Sequence, residues 1–150
     1  MLGLPGTDKQ IRETFARVLG KEDAARFFDS FILNFLTEED FLFLKESGVN
    51  LLRVPFSYRL FIDDENPGVY KEEGFGYMDR LLALCSKYEI FLMPDLHTVP
   101  GGQNPDWHSD NTTGIPQFWH FRIFQEQIVK LWQDIAQPVS YTHLRAHETL

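Results

Sequence analysis

Two side chains in this chain stand where an apolar run gives way to a polar loop. Arg53 lies in Val49-Asn50-Leu51-Leu52-Arg53-Val54-Pro55-Phe56, and His97 closes Ile90-Phe91-Leu92-Met93-Pro94-Asp95-Leu96-His97. An arginine within an apolar run is expensive to bury unless it meets a carboxylate or a ligand. A histidine can bind a hydroxyl, act as a general base, ligate a metal or simply sit satisfied in a core. After His97, the prolines and glycines from Pro100 to Pro105 break regular structure. Gln103, Asn104, Trp107, His108, Asp110 and Asn111 follow in a loop not expected to bury them. Such mixtures recognise sugars, because amides, carboxylates and imidazoles satisfy hydroxyls while an aromatic face covers the apolar face of the ring. Tyr58 and Arg59, just beyond the first run, could reach the same pocket or form its rim.

A metal site is the competing chemistry, since Asp95-x-His97 and Asp106-x-His108 supply nitrogen and oxygen ligands. Alternation along a strand puts Asp95 and His97 on one face, but no further acidic or histidine cluster completes a coordination shell before residue 138. The chain has no phosphate loop, dinucleotide fingerprint, nucleophile elbow or cysteine pair. Its one cysteine, Cys85, falls in an apolar helical register and reads as a buried thiol.

The elements that must position these groups are legible from periodicity. Thr7 and Gln10 have capping-box spacing, Ile11, Phe15, Val18 and Leu19 follow at helical intervals, and Gly20 supplies a stop. Ala24, Phe27, Phe28, Phe31, Ile32 and Phe35 give a second helix whose aromatic stripe is expected to pack in the core. Thr37 caps a third, with Glu38, Glu39 and Asp40 in its first turn, where the helix dipole favours negative charge. The runs ending at Phe56 and His97 read as buried strands. Between them come a polar loop, Asp63 to Gly68, and a helix presenting Met78, Leu81, Leu82 and Cys85. Strand, helix, strand predicts a parallel βαβ unit. A last helix carries Phe121, Phe124, Ile128, Leu131, Trp132 and Ile135, with Trp119 and Trp132 as packing residues.

With 150 residues, 43% hydrophobic and 24% charged, the chain has the composition of one globular domain. A net charge of -8 without a basic run argues against nucleic acid or anionic lipid as a partner. No stretch is long and apolar enough for a membrane span, and the N-terminus MLGLPGTDKQ shows no secretory pattern, which leaves localisation open. The final helical pattern ends near Gln137. The remainder, PVSYTHLRAHETL, has no apolar periodicity and resembles a translated vector or sequencing-adapter tail, so residues 138–150 are set apart from residues 1–137, with His143 and His147 excluded from the site.

LLRVPFSYRLF, then a helix, then FLMPDLHTVPGGQN together resemble glycoside hydrolase family five, the cellulase-like (β/α)₈ enzymes. The resemblance implies an α/β fold, a partial (β/α)₈ TIM barrel comprising about the second and third βα units plus an N-terminal helical insertion. It implies that Arg53 supports the catalytic nucleophile and that His97 contacts the sugar beside the scissile bond. It also implies retaining hydrolysis of β-glucans or β-glucosides by two glutamates about 5 Å apart, with a carbohydrate substrate and no cofactor. Neither glutamate is expected within this chain, because the acid/base residue follows a fourth strand and the pattern departs at the third helix. The first strand is expected before Met1. The isolated chain is therefore expected to be marginally stable, aggregation-prone and inactive. A metal-dependent hydrolase using Asp95, His97 and His108, and a non-catalytic carbohydrate-binding protein, are the alternatives.

Overall fold

The computed structural model of the chain describes residues 6–142. Helix α1 (Asp8–Leu19) starts where expected: Thr7 Oγ1 accepts from the Gln10 backbone at 3.2 Å, and Gln10 Oε1 accepts from the Thr7 backbone at 3.1 Å. Gly20, at φ 89°, turns the chain into α2 (Lys21–Phe35) through a conformation that side chains disfavour. A second capping box, between Thr37 and Asp40, starts α3 (Glu38–Glu46). Hydrogen bonds from Thr37 hold the Asp40 carboxyl below its usual range. Glu38 is lowered in the same way by Lys87 and Tyr88 of the following unit, so these acids serve helix ends and interhelical pairing.

Strand β1 (Leu51–Ser57) runs into a 3-10 turn (Tyr58–Leu60), a short hairpin of β2 (Ile62–Asp63) and β3 (Asn66–Tyr70), then α4 (Glu72–Lys87) and β4 (Phe91–Thr98). The segment expected as a polar loop thus carries a hairpin. Its turn residues mask two very short strands, and Pro67 is tolerated because an edge strand has no ladder partner on one side. β1 and β4 pair in parallel, with Leu51 opposite Phe91, Arg53 opposite Met93 and Pro55 opposite Asp95.

Both helices of the βα units cover one face of this two-stranded sheet. Phe56 of β1 joins Met78 of α4 and Ile128, Leu131 and Ile135 of α5 (Arg122–Thr142), along with Tyr58, Phe61 and Ile62. Each large apolar side chain so buried contributes about 1.5–3 kcal/mol. A smaller cluster of Phe41, Cys85 and Ile90 packs α3 under the end of α4, and Cys85 is buried as expected, with its thiol pushed up to about 11. The opposite sheet face is turned away from this core: Leu51 is 48% exposed and Phe91 57%, and Arg53, Pro55, Met93 and His97 share that face.

Three expectations need correction. The aromatic stripe of α2 is not core: Phe15, Phe27 and Phe28 pack on one another at 5.0 to 5.3 Å, while Phe35 is 67% exposed. Helical spacing reports an apolar face but not what covers it, and an apolar cleft of about 510 Å³ remains between α2, α4 and the unpaired edge of β1. Trp119 belongs to a 3-10 turn (Gln117–Trp119) before α5 and is exposed, so it is no packing residue of that helix. Finally, α5 continues past Gln137 to Thr142, because the end of an apolar pattern in the sequence does not forbid helical backbone. His143 and His147 lie outside the described residues.

Candidate functional site

The sheet face turned away from the helices holds the residues singled out from the two strands. Alternation along β1 and β4 turns Arg53, Asp95 and His97 to the side that the helices leave open. The Arg53 guanidinium donates to Asp95 Oδ2 at 2.5 Å, and His97 Nδ1 lies 3.1 Å from that same oxygen. One carboxylate thus ties the two residues singled out from the sequence. Asp95 is the member that sequence reasoning missed, having weighed it only as a metal ligand. With Nδ1 committed to Asp95, His97 keeps Nε2 for a ligand. Arg53, more than half exposed, keeps further N–H groups for a second acceptor. Among the described residues no glutamate lies on β1 or β4.

The loop after β4 divides the remaining candidates between two sides. Gln103 Nε2 donates to the His97 carbonyl at 2.6 Å, and the Gln103 carbonyl accepts the Trp119 indole N–H at 2.8 Å. Gln103 Oε1 is buried without a hydrogen-bond partner among the described residues. Trp107 and His108 stand together in a 3-10 turn (Trp107–Ser109), both exposed, their rings edge to face at 5.9 Å. Asn104 organises the loop: its side chain accepts from the Asp106 backbone at 2.9 Å, and its carbonyl accepts from Ser109 and Asn111.

Contrary to the expectation for this loop, Asp110 and Asn111 are buried. Asn111 is occupied by bonds within the loop, donating to the Asn104 and Ile115 carbonyls and accepting from Thr113 and Gly114. Asp110 takes a left-handed conformation, which aspartate tolerates, and accepts from the Lys9 backbone at 2.9 Å and Arg59 Nε at 2.5 Å. Tyr58 is only 2% exposed and donates to Asp64 at 2.6 Å, with Arg59 bonded to the same carboxyl. Burial pushes its phenol up to about 12. Tyr58, Arg59, Asp64, Asp110 and Asn111 line a separate polar cleft of about 270 Å³ that includes neither Arg53 nor His97. Arg59 therefore braces the loop, and Tyr58, Asp110 and Asn111 lie apart from the open wall instead of joining it. Partners 51 and 101 residues away in sequence bury Asp110, which composition could not reveal.

Among the described residues no group of three or more His, Cys, Asp or Glu side chains could hold a metal. The two Asp-His pairs stay separate, and His108 lies a loose 4.0 Å from Asp106. No described helix is long and apolar enough to cross a membrane.

No family model matches the chain. It is 48% identical over 135 residues to a protein named beta-xylosidase from Phanerodontia chrysosporium, covering 90% of this chain and 28% of that protein. It is 34% identical over 120 residues to Endoglucanase C of Acetivibrio thermocellus, covering 80% of this chain and 32% of the relative. The chain thus spans about a third or less of the length of these relatives. In fold it superposes on a solved structure named AoRut with a TM-score of 0.62 at 19% identity, over 89% of this chain and 41% of that one. The parallel β1-α4-β4 unit is the arrangement expected for part of a (β/α)₈ barrel.

Proposed function

We infer that this chain, a segment of a family-five-like glycoside hydrolase, forms one wall of the active site of a retaining β-glycosidase acting on β-glucans or β-glucosides. The observation that carries the reading is the Asp95 carboxylate joining Arg53 and His97 on the open face of two parallel strands. In a (β/α)₈ barrel that face points inward, and groups toward the C-terminal strand ends meet substrate.

In this reading Asp95 orients both neighbours. His97 donates from Nε2 to a hydroxyl of the sugar beside the scissile bond. The free edge of the Arg53 guanidinium holds the nucleophilic glutamate ionised and in place, since opposite charge nearby favours the charged form. Both glutamates come from strands outside this chain, about 5 Å apart across the glycosidic bond. Gln103, Asn104, Trp107 and His108 contact sugar on the open side of the loop. Residues 1–137 belong to the catalytic domain and residues 138–150 are a non-native tail.

The coding sequence on either side of the chain gives the first test. An Asn-Glu-Pro-like motif and a later strand-end glutamate are required downstream, and their absence defeats the assignment. With the complete enzyme, chromogenic β-glucoside and β-xyloside should be cleaved with retention, and His97→Ala should lower kcat/KM at least about a hundredfold, about 2.7 kcal/mol of transition-state stabilisation. The relative named beta-xylosidase makes the xyloside the first competitor to compare. Oligosaccharide binding without hydrolysis by the complete protein would instead favour a non-catalytic carbohydrate-binding role.

A further inference from the structure

We propose that Trp119 is a sugar-stacking platform forming a subsite next to the one read by His97; this rests on the glycosidase reading above. The segment Gln117–Trp119 lies alongside Gly101–Gln103, joined residue by residue. The Gln117 backbone donates to the Gly101 carbonyl at 2.9 Å, the Phe118 backbone to Gly102 at 3.4 Å, and the Trp119 indole to Gln103 at 2.8 Å. Gln103 in turn grips the His97 carbonyl at 2.6 Å, so a single residue separates the indole from the histidine. Phe118 braces the ring edge-on at 5.0 Å, and Gln125 holds the Phe118 carbonyl from α5 at 2.9 Å.

Despite this anchoring, Trp119 is 63% exposed. A tryptophan needed only for packing would bury its ring, and one of no consequence would not have its sole polar atom fixed. Here the N–H is satisfied and the apolar face stays in water, so the ring is held in one orientation by Gln103 and Phe118 before anything binds. A fixed aromatic plane loses little conformational entropy on contact, which suits it to the C–H face of a pyranose. Trp107 is comparably exposed at 53%, but its indole nitrogen has no such anchor among the described residues.

The test uses the complete enzyme with an aryl β-glucoside, cellotetraose and laminaritetraose, alongside calorimetric binding of the tetrasaccharides. Trp119→Ala should lower kcat/KM for a tetrasaccharide about tenfold more than for the aryl glucoside, mainly through KM. Trp119→Phe keeps an aromatic face and should recover most of that difference, which also covers misfolding of the alanine variant. An equal loss on short and long substrates, or no loss, overturns the subsite while leaving the glycosidase reading intact. Binding without hydrolysis, weakened in Trp119→Ala, supports the platform while defeating the glycosidase reading. Neither binding nor hydrolysis by the wild type overturns both.

Discussion

Arg53 meets Asp95 diagonally: the register opposes Arg53 to Met93 and Asp95 to Pro55, yet the guanidinium reaches along the sheet to within 2.5 Å of the carboxylate. Diagonal neighbours on one sheet face are about 7–8 Å apart at the backbone, within reach of a long side chain. The contact commits the guanidinium to point up the strands, toward the end where His97 shares the same oxygen.

Asp95→Asn should therefore weaken two residues at once. A charged hydrogen bond contributes about 1.5–3 kcal/mol, and exposure of Arg53 places this one near the lower end, so kcat of the complete enzyme should fall about tenfold. KM should move less, because the group that touches sugar is still present. An unchanged kcat would show that Asp95 is a bystander.

Two glycines of α4 should respond oppositely to the same change. A Cβ on Gly74 would lie 2.3 Å from the Leu60 carbonyl oxygen, whereas one on Gly76 meets nothing within 4 Å. Gly74→Ala should destabilise by about 1–3 kcal/mol through overpacking. Gly76→Ala should stabilise by about 0.4–1 kcal/mol by restricting the unfolded chain. Urea unfolding of both variants checks the pair, and similar midpoints would contradict the close approach of α4 to the 3-10 turn.

Alkaline pH should act through Tyr58. Burial raises its phenol from 10.0 to about 12, so the stability it contributes is complete below pH 10 and is lost as pH rises through about 12. Tyr58→Phe should flatten that part of the stability profile, followed by circular dichroism, and remove one late-titrating phenolate from the ultraviolet absorbance. A Tyr58 phenol that instead ionises near pH 10 would mean that the ring is wetted.

The purified chain should associate through the apolar side chains exposed on the sheet face that carries Arg53 and His97. Leu51 and Phe91 are direct cross-strand partners there, both exposed. The double variant Leu51→Lys, Phe91→Glu should shift size-exclusion elution toward monomer and reduce binding of a hydrophobic dye. A monomeric, non-binding wild type counts against the idea, and β-glycosidase turnover by the chain alone, abolished by His97→Ala, would refute its expected inactivity.

Where a signal was local, the sequence carried it. Thr7 with Gln10, Thr37 ahead of its acids, and the strand-helix-strand order through Cys85 all appear as read. Arg53 and His97 were recognisable because a polar side chain set into an apolar strand, as Arg53 is, or closing one, as His97 does, is costly without a purpose. What escaped depends on distant partners. Asp110 looks like a solvent-facing loop acid until Arg59 and Lys9 arrive. The phenylalanines of α2 obey helical spacing whether or not anything covers them. Trp119 fell in phase with α5 and was assigned to it, although the helix begins only at Arg122.

The bond from the Lys9 backbone to Asp110 bears on how the chain comes into being. It spans 101 residues, yet it ties down the first turn of the first helix. During synthesis α1 can cap itself through Thr7 and Gln10, but its docking waits until both strands and the loop beyond them have emerged. Closing so long a loop is slow relative to forming a helix. Helix α1 is thus locked after the strands and loop that follow it, and through Asp110 and Arg59 its docking fixes the loop that carries Gln103.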